Sequence, residues 1–425
     1  AEKLVEQEHF HFAVYYVAIL FLAAYTGLIY LYKKRRRELA AFLALALVAV
    51  EAAVNTTVTS VTTTSREAYT RDNKEVQALM EKLEPAEDFY RVEKKTRKTK
   101  NDGAWMNFPS VSLFSSTANA DLTKFFKRMG CEASTNAYSI TGSTPLVDSL
   151  LSVRYALYSE YIPNTDLVNY IQESGGTYLY ENLYTLPLGF VLPYDLADNW
   201  QYQMENPAEV QNDLCLLLGT DDVLVPVETE VAGSRCTFTA DMAGEYYVCI
   251  QNKKVKNVKA SLPSGEKNFS NVDRGYLLEM GNLSEGSRIT LTPGESGETL
   301  TAAVYRFSPR AMIQVYDRLS QSPLHLDSWR DTKLTGTVTA AESGTLFLSI
   351  PYDEGWTITI DGQPAEGEKI LEAFLSVPVE AGTHEISLIY MPGGLIPGVV
   401  ISGASAAVLV LLWIVKRRRP SQAGV

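Results

Sequence analysis

Residues 393–420 read GGLIPGVVISGASAAVLVLLWIVKRRRP. From Leu395 to Val415 the run holds no charged residue. It matches the ~20 apolar residues that an α-helix needs to cross a bilayer core. Lys416, Arg417, Arg418 and Arg419 follow at once. Lys and Arg clustered beside a span mark its cytoplasmic end. The expectation is that the tail, 416–425, lies inside the cell and that whatever precedes Gly393 lies outside.

Two further runs obey the same electrostatics. Residues 10–32 lack Asp, Glu, Lys and Arg, carry aromatic residues at both edges, and end at Lys33, Lys34, Arg35, Arg36 and Arg37. Residues 39–60 begin almost directly after that basic clip and are interrupted only by Glu51. Two spans joined by a short basic loop, 33–38, form a hairpin with its turn in the cytoplasm. All three spans then agree on one threading, with residues 61–392 exterior. Residues 1–9 are short and acidic, like a loop between membrane helices. They show no signal-peptide pattern. The chain is therefore expected to be the C-terminal part of a longer polytopic protein, with upstream membrane helices as partners.

The formal charge is −12, from 38 basic and 50 acidic residues. Five of the basic residues sit in the first clip and four in the second, which leaves 29 against the 50 acids. An exterior this acidic argues against nucleic-acid binding. At 425 residues the chain exceeds one ordinary domain.

The pattern of the exterior region changes along its length. In 61–220, strands alternate with helices, which reads as an α/β subdomain. A polar helix is expected over 66–82. Asp121–Gly130 repeats Leu122, Phe125, Phe126 and Met129 at helical spacing, with Asp121 placed to cap it. Asn206–Pro207 opens another helix, which stops at Gly219. From 221 to 308, short strands alternate with Gly, Asp, Asn and Pro turns, which is β-sandwich-like texture. Residues 309–392 combine one amphipathic helix with a membrane-proximal β-domain, in which Asp361–Gly362 suits a tight hairpin turn. The fold class expected is α+β: three transmembrane helices plus a large extracytoplasmic region. A β-domain that runs almost directly into its anchor is held near the bilayer.

Cys236 and Cys249 sit symmetrically in RCTFTADMAGEYYVCI. If that segment is one hairpin, they face each other, and both a disulfide and two buried thiols fit. Glu51 and Asn55 lie near the outer end of the second span. A carboxylate at membrane depth is costly unless it faces a wet cavity or a partner, and a Glu already in the headgroup layer is the other reading. Arg91, Lys94, Lys95, Arg97, Lys98 and Lys100 cluster in one strip. It suits either lipid phosphate or an anionic substrate, or else is a solvated loop. No metal-ligand spacing, phosphate loop, nucleophile elbow or Cys–His arrangement is visible. No cofactor is evident, and a divalent cation would have no visible ligand set.

YDEGWTITIDGQ at 352–363, AFLSVPVEAGTHEISLIY at 373–390 and the Gly/Pro junction into the last span resemble the C-terminal signature of the YfhO-like family of bacterial membrane proteins. FYRVE around Tyr90, NDG at 101–103, FSS at 114–116, SLLSVRYAL around Arg154 and YENLYTLPLGF at 180–190 follow the same order. The resemblance implies a GT-C-type glycosyltransferase, with many membrane helices and a large extracytoplasmic domain. Such an enzyme moves a sugar from a polyprenyl-phosphate carrier to a cell-envelope glycopolymer, such as lipoteichoic acid. It implies contacts with membrane lipid, the lipid-linked sugar and the polymer. The acidic catalytic residue of such enzymes lies in the first exterior loop, so this chain is expected to lack it. Tyr90, Arg91, Asn101, Asp102, Ser115, Ser116, Arg154, Glu181 and Asn182 are the polar members of the shared motifs and hence the candidate substrate contacts. Turn and capping roles are the alternative for each. A non-catalytic glycan-binding or assembly module and a component of a lipid-linked transporter are the competing readings of the whole. Paired inverted repeats of broken helices would favour the transporter.

Overall fold

The computed structural model describes residues 13–34, 36–61, 70–83, 88–200 and 206–418. The chain is mixed α and β, and among the described residues three helices are long and apolar enough to cross a membrane. It divides after Arg71 into two compact units.

The first unit is a pair of helices, Ala13–Lys33 and Arg37–Val61. Leu20, Leu22, Phe42 and Leu45 point outward and exposed. A helix that is apolar all round suits lipid rather than water.

The second unit begins with a four-stranded mixed sheet, ordered Arg91–Lys94, Val153–Tyr158, Thr177–Asn182, Val168–Ser174. The first two strands run parallel and the other pairs antiparallel. Helices Asn73–Met80 and Asp102–Met106 cover one face, burying Val76, Leu79, Met106, Leu157 and Leu179. The polar helix expected over 66–82 is described from residue 70 onward, and 62–69 lie outside the described residues. Tyr180, on the opposite face, joins a larger core with Phe125, Phe126 and Trp200. The helix Ala120–Arg128 is capped by Asn119, whose side chain accepts from Asp121 N and Leu122 N. Asp121, expected as the cap, is instead in the first turn, where it pairs with Lys124 and Lys369. Asn206 and Gly219 do cap the helix Pro207–Leu218.

Next come two antiparallel sheets that bury one core between them. The five-stranded sheet includes Arg235–Thr239, which supplies Cys236 and Phe238. The four-stranded sheet includes Gly244–Ile250, which supplies Tyr246, Val248 and Ile250. The hairpin expected around Met242 does not form. Arg235–Thr239 pairs with Thr229–Ala232 and Arg288–Pro293, whereas Gly244–Ile250 pairs with Leu278–Leu283 and Ala302–Phe307. Cys236 faces the core between the two sheets, while Cys249 faces the opposite way, into the larger core. Both are free and buried, so the disulfide reading is corrected to two thiols in separate cores.

The last part pairs a five-stranded sheet, Leu324–Arg330 through Gln363–Ala365, with a four-stranded one. The latter takes an edge strand, Gly189–Pro193, from the α/β block and lays it against Gly344–Pro351. A Cβ at Gly189 would come within 2.8 Å of Leu348 and 3.0 Å of the Phe347 carbonyl, so the close strand approach needs glycine there. The α/β block and the C-terminal β block thus share a sheet. The hairpin turn at Asp361–Gly362 forms with φ of 52° and 74°, and Ile360 pairs with Gln363. Two positive φ values define the turn type that Asp-Gly favours.

Candidate functional site

Arg154 and Glu181 meet because two strands run side by side. Val153–Tyr158 pairs with Thr177–Asn182. Arg154 Nε donates to Glu181 Oε1 at 2.9 Å. The adjacent Asn182 donates from Nδ2 to the Val153 carbonyl at 2.7 Å, which fixes the end of the pairing. Thr185 Oγ1 then donates to the Asn182 carbonyl at 2.9 Å and turns the chain away.

These residues line a cleft of about 300 Å³. Asp88 and Phe89 form one side of it, Tyr316 of the helix Pro309–Leu319 another, and Leu324, His325 and Leu326 a third. The side chains of Arg154 and Glu181 are 40% and 27% exposed, so both stay reachable by solute. Burial lowers the Arg154 pKa, but the bond to Glu181 and the nearby Tyr155, Glu181 and Asp88 outweigh it and carry the pKa above its ordinary value. The guanidinium also lies 5.5 Å from the Tyr155 ring centre. With Nε committed to Glu181, its terminal nitrogens still carry donors. A guanidinium and carboxylate set among Phe89, Tyr316 and leucines can bind a ligand that has hydroxyls on its edge and C–H bonds on its face.

Of the sequence candidates, the structure brings Arg154, Glu181 and Asn182 together at this cleft and places the others elsewhere. Arg91 points inward, with Nη1 donating to the Leu151 carbonyl at 2.6 Å. Tyr90 packs its ring edge-on against Tyr155 at 5.1 Å. Asn101 clamps Phe114, accepting from its N–H at 2.8 Å and donating to its carbonyl at 3.0 Å. Asp102 is buried and accepts from Lys98 N, Thr99 N and Thr99 Oγ1. Ser115 accepts from Thr117 N in a turn, and Ser116 is exposed beside it. Glu51 and Asn55 belong to the first unit, on one face a helical turn apart, and Tyr25 donates to Glu51.

The basic strip is neither a solvated loop nor an open anion site. Lys94 pairs with Asp72 at 3.4 Å, Lys95 with Asp148 at 3.3 Å and Lys100 with Glu132 at 3.0 Å. Arg97 and Lys98 reach Glu132 and Asp72 at 3.7 Å. Part-buried ammonium groups persist only with partners, and an acid-rich chain supplies them.

Sequence reasoning missed Asp88, Phe89, Tyr316 and His325 as members of the cleft. Asp88 and Phe89 stand in a motif that was legible, but Tyr316 and His325 come from more than 130 positions away in sequence and carry no local signal. Among the described residues, no group of three or more His, Cys, Asp or Glu is arranged to hold a metal ion.

A family model described as "Bacterial membrane protein YfhO" matches residues 3–229 and 227–402. A relative, "Uncharacterized protein YfhO" of Bacillus subtilis (strain 168), is 28% identical over 93 residues. That stretch is 22% of this chain and only 11% of the relative. Among solved structures, the mycobacterial arabinofuranosyltransferase AftD (mutant R1389S) aligns over 32% of this chain and 12% of its own, at 10% identity and a TM-score of 0.15. A glycoside hydrolase 29 family member from an unknown rumen bacterium aligns over 44% and 42%, at 11% identity and a TM-score of 0.18. Scores this low carry no argument about fold or activity. The family model matches nearly the whole sequence, and the chain belongs to the YfhO family of bacterial membrane proteins.

Proposed function

We propose that this chain is the C-terminal part of a membrane glycosyltransferase. It acts on the outer face of the bacterial cell membrane and transfers a sugar from a polyprenyl-phosphate carrier to a cell-envelope glycopolymer of the lipoteichoic-acid type. The observation that carries the reading is the Arg154–Glu181 cleft, an ion pair among aromatic and aliphatic walls, in a chain of a bacterial membrane protein family. Its mixture of planar polar groups and aromatic faces suits a sugar. The threading follows from the basic clips: the Lys33–Arg37 turn and the Lys416–Arg419 tail lie in the cytoplasm, and the second unit before Gly393 lies outside. Upstream membrane helices of the same protein complete the site and supply the acidic catalytic residue.

A second reading, a glycan-binding or assembly module without its own chemistry, is favoured by one feature. Glu181 is already held by Arg154, an arrangement that suits binding hydroxyls more than transferring protons.

The test is a strain deleted for the full-length gene and complemented with wild type or Arg154→Ala, its envelope polymers analysed by mass spectrometry. Loss of one sugar decoration, restored by wild type alone, is expected. Normal decoration in the deletion strain overturns the enzyme reading. External protease that spares the second unit in intact cells overturns the threading.

A further inference from the structure

The last strand, Gly382–Tyr390, is followed by the helix Leu395–Arg418 after only four residues, Met391–Gly394. From Tyr390 to Leu395 is five steps along the chain, no more than ~18 Å even fully extended. Within that helix the span Leu395–Val415 has 21 residues. At ~1.5 Å per residue it is about as long as the hydrocarbon core is thick. Leu395 then stands at the edge of the hydrocarbon, and the headgroup layer outside it is only ~5–7 Å deep. The Leu395 N bond to the Pro392 carbonyl, at 3.2 Å, turns the linker and shortens that reach, so the end of the last strand lies in that layer or within ~11 Å of its outer edge.

The two strand ends differ in aromatic content, although Asp353 also stands at the membrane end, where it accepts from Gly355 N at 2.8 Å. At the membrane end, Trp356 pairs with Tyr390 and their rings are 5.0 Å apart. Ile389 and Met391 are 46% and 48% exposed beside them. Backbone bonds make this end rigid: Tyr390 N donates to the Thr332 carbonyl at 2.9 Å and Met391 N to the Gly355 carbonyl at 3.0 Å. At the far end of the same strands stand His384, Asp361 and Glu380, joined by polar contacts. Trp and Tyr favour the boundary where one edge is apolar and the other wet.

We propose that the rim formed by Trp356, Ile389, Tyr390 and Met391 is a lipid-docking surface seated in the outer headgroup layer. It acts as a foot that stops the second unit from swinging on its anchor. The proposal rests on the membrane threading given above. It also sets the height of the cleft. His325 and Arg330 lie on one strand, and Arg330 pairs with Lys333, which in turn pairs with Ile389. Five residues at ~3.3 Å each keep the cleft wall within ~17 Å of the rim along that strand.

Nitroxide labels on the full chain in phosphatidylcholine vesicles test this. The four native cysteines are buried, which directs the label to an introduced site. Met391→Cys reports the rim, Gln363→Cys the opposite end of the sheet, and Val408→Cys the span. The expected result is that oxygen, which partitions into lipid, relaxes the labels at 391 and 408 more than a water-soluble nickel chelate does, with the order reversed at 363. A label at 391 that behaves like the one at 363, while 408 reports lipid, overturns the docking surface alone. A label at 391 shielded from both reagents also overturns it, since protein then covers the rim. Water exposure at 408 removes the threading and the docking surface together.

Discussion

Arg91 is tied to Ser349, 258 positions later, by two hydrogen bonds: Nη1 to the hydroxyl at 2.9 Å and Nη2 to the carbonyl at 2.8 Å. A third bond from Nη1 reaches the Leu151 carbonyl. One guanidinium therefore joins the first strand of the mixed sheet to the strand Gly344–Pro351. Burial lowers its pKa to about 10, against the nearby Glu93, so the charge still survives at neutral pH.

Replacing Arg91 with alanine leaves those carbonyls without donors. Each unsatisfied buried group costs ~1–3 kcal/mol, so a loss of about 2–4 kcal/mol is expected. Arg91→Lys recovers only part, because a single ammonium cannot reproduce a planar fork. Thermal unfolding of the full chain in detergent measures both. An unchanged midpoint for the alanine variant would falsify the cross-link.

Arg154 and Glu181 should behave in the opposite way. Their pair is partly exposed, and such pairs contribute no more than ~1 kcal/mol. Arg154→Ala and Glu181→Gln should leave the unfolding midpoint nearly unchanged while glycan binding or polymer decoration drops at least about tenfold, the equivalent of ~1.4 kcal/mol. A variant that melts early and keeps its decoration would make the pair structural.

Glu93 offers a pH test. Burial raises its pKa, although Ser110 Oγ, Ser112 N, Ser112 Oγ and Val111 N all donate to the carboxyl and pull the other way. The folded state thus binds the proton more tightly than the unfolded chain. The stability this confers is complete below the ordinary value of ~4.3 and is lost as pH rises through the folded value. Glu93→Gln stays neutral and keeps a carbonyl to accept from Val111 and Ser112. Unfolding measured from acid to neutral pH should show the variant gaining on wild type as pH rises. Parallel curves would sink the assignment.

The thiols should be silent until the protein unfolds. Burial pushes Cys215 and Cys249 up to about 11 and Cys131 well above its ordinary value. At pH 8 the folded protein should react slowly with iodoacetamide, and all four cysteines should react after denaturation without reductant. Two thiols that stay blocked until reductant is added would restore the disulfide.

The outcome for these residues shows where local pattern stops being informative. The three apolar helices, the Asn206 and Gly219 caps and the Asp361–Gly362 turn were legible because a few adjacent residues set each one: charge-free length, a side chain that reaches the next N–H groups, two positive φ values. The cap at Asn119 was misplaced by two residues because Asp121 is an equally good acceptor, and only the backbone path separates them. The basic strip looked like a surface feature because Asp72, Glu132 and Asp148 are distant in sequence.

By itself the sequence determined the apolar spans, their basic flanks, and the strand and helix textures, since these depend on short-range periodicity and charge. Tertiary structure alone decided that Cys236 and Cys249 enter different cores, that Gly189–Pro193 joins the distant Gly344–Pro351, and that Tyr316 and His325 line the same cleft as Arg154. The physical reason is that sheet partners are chosen by burying both faces of a strand, and which surfaces are available for burial is a property of the whole packed chain.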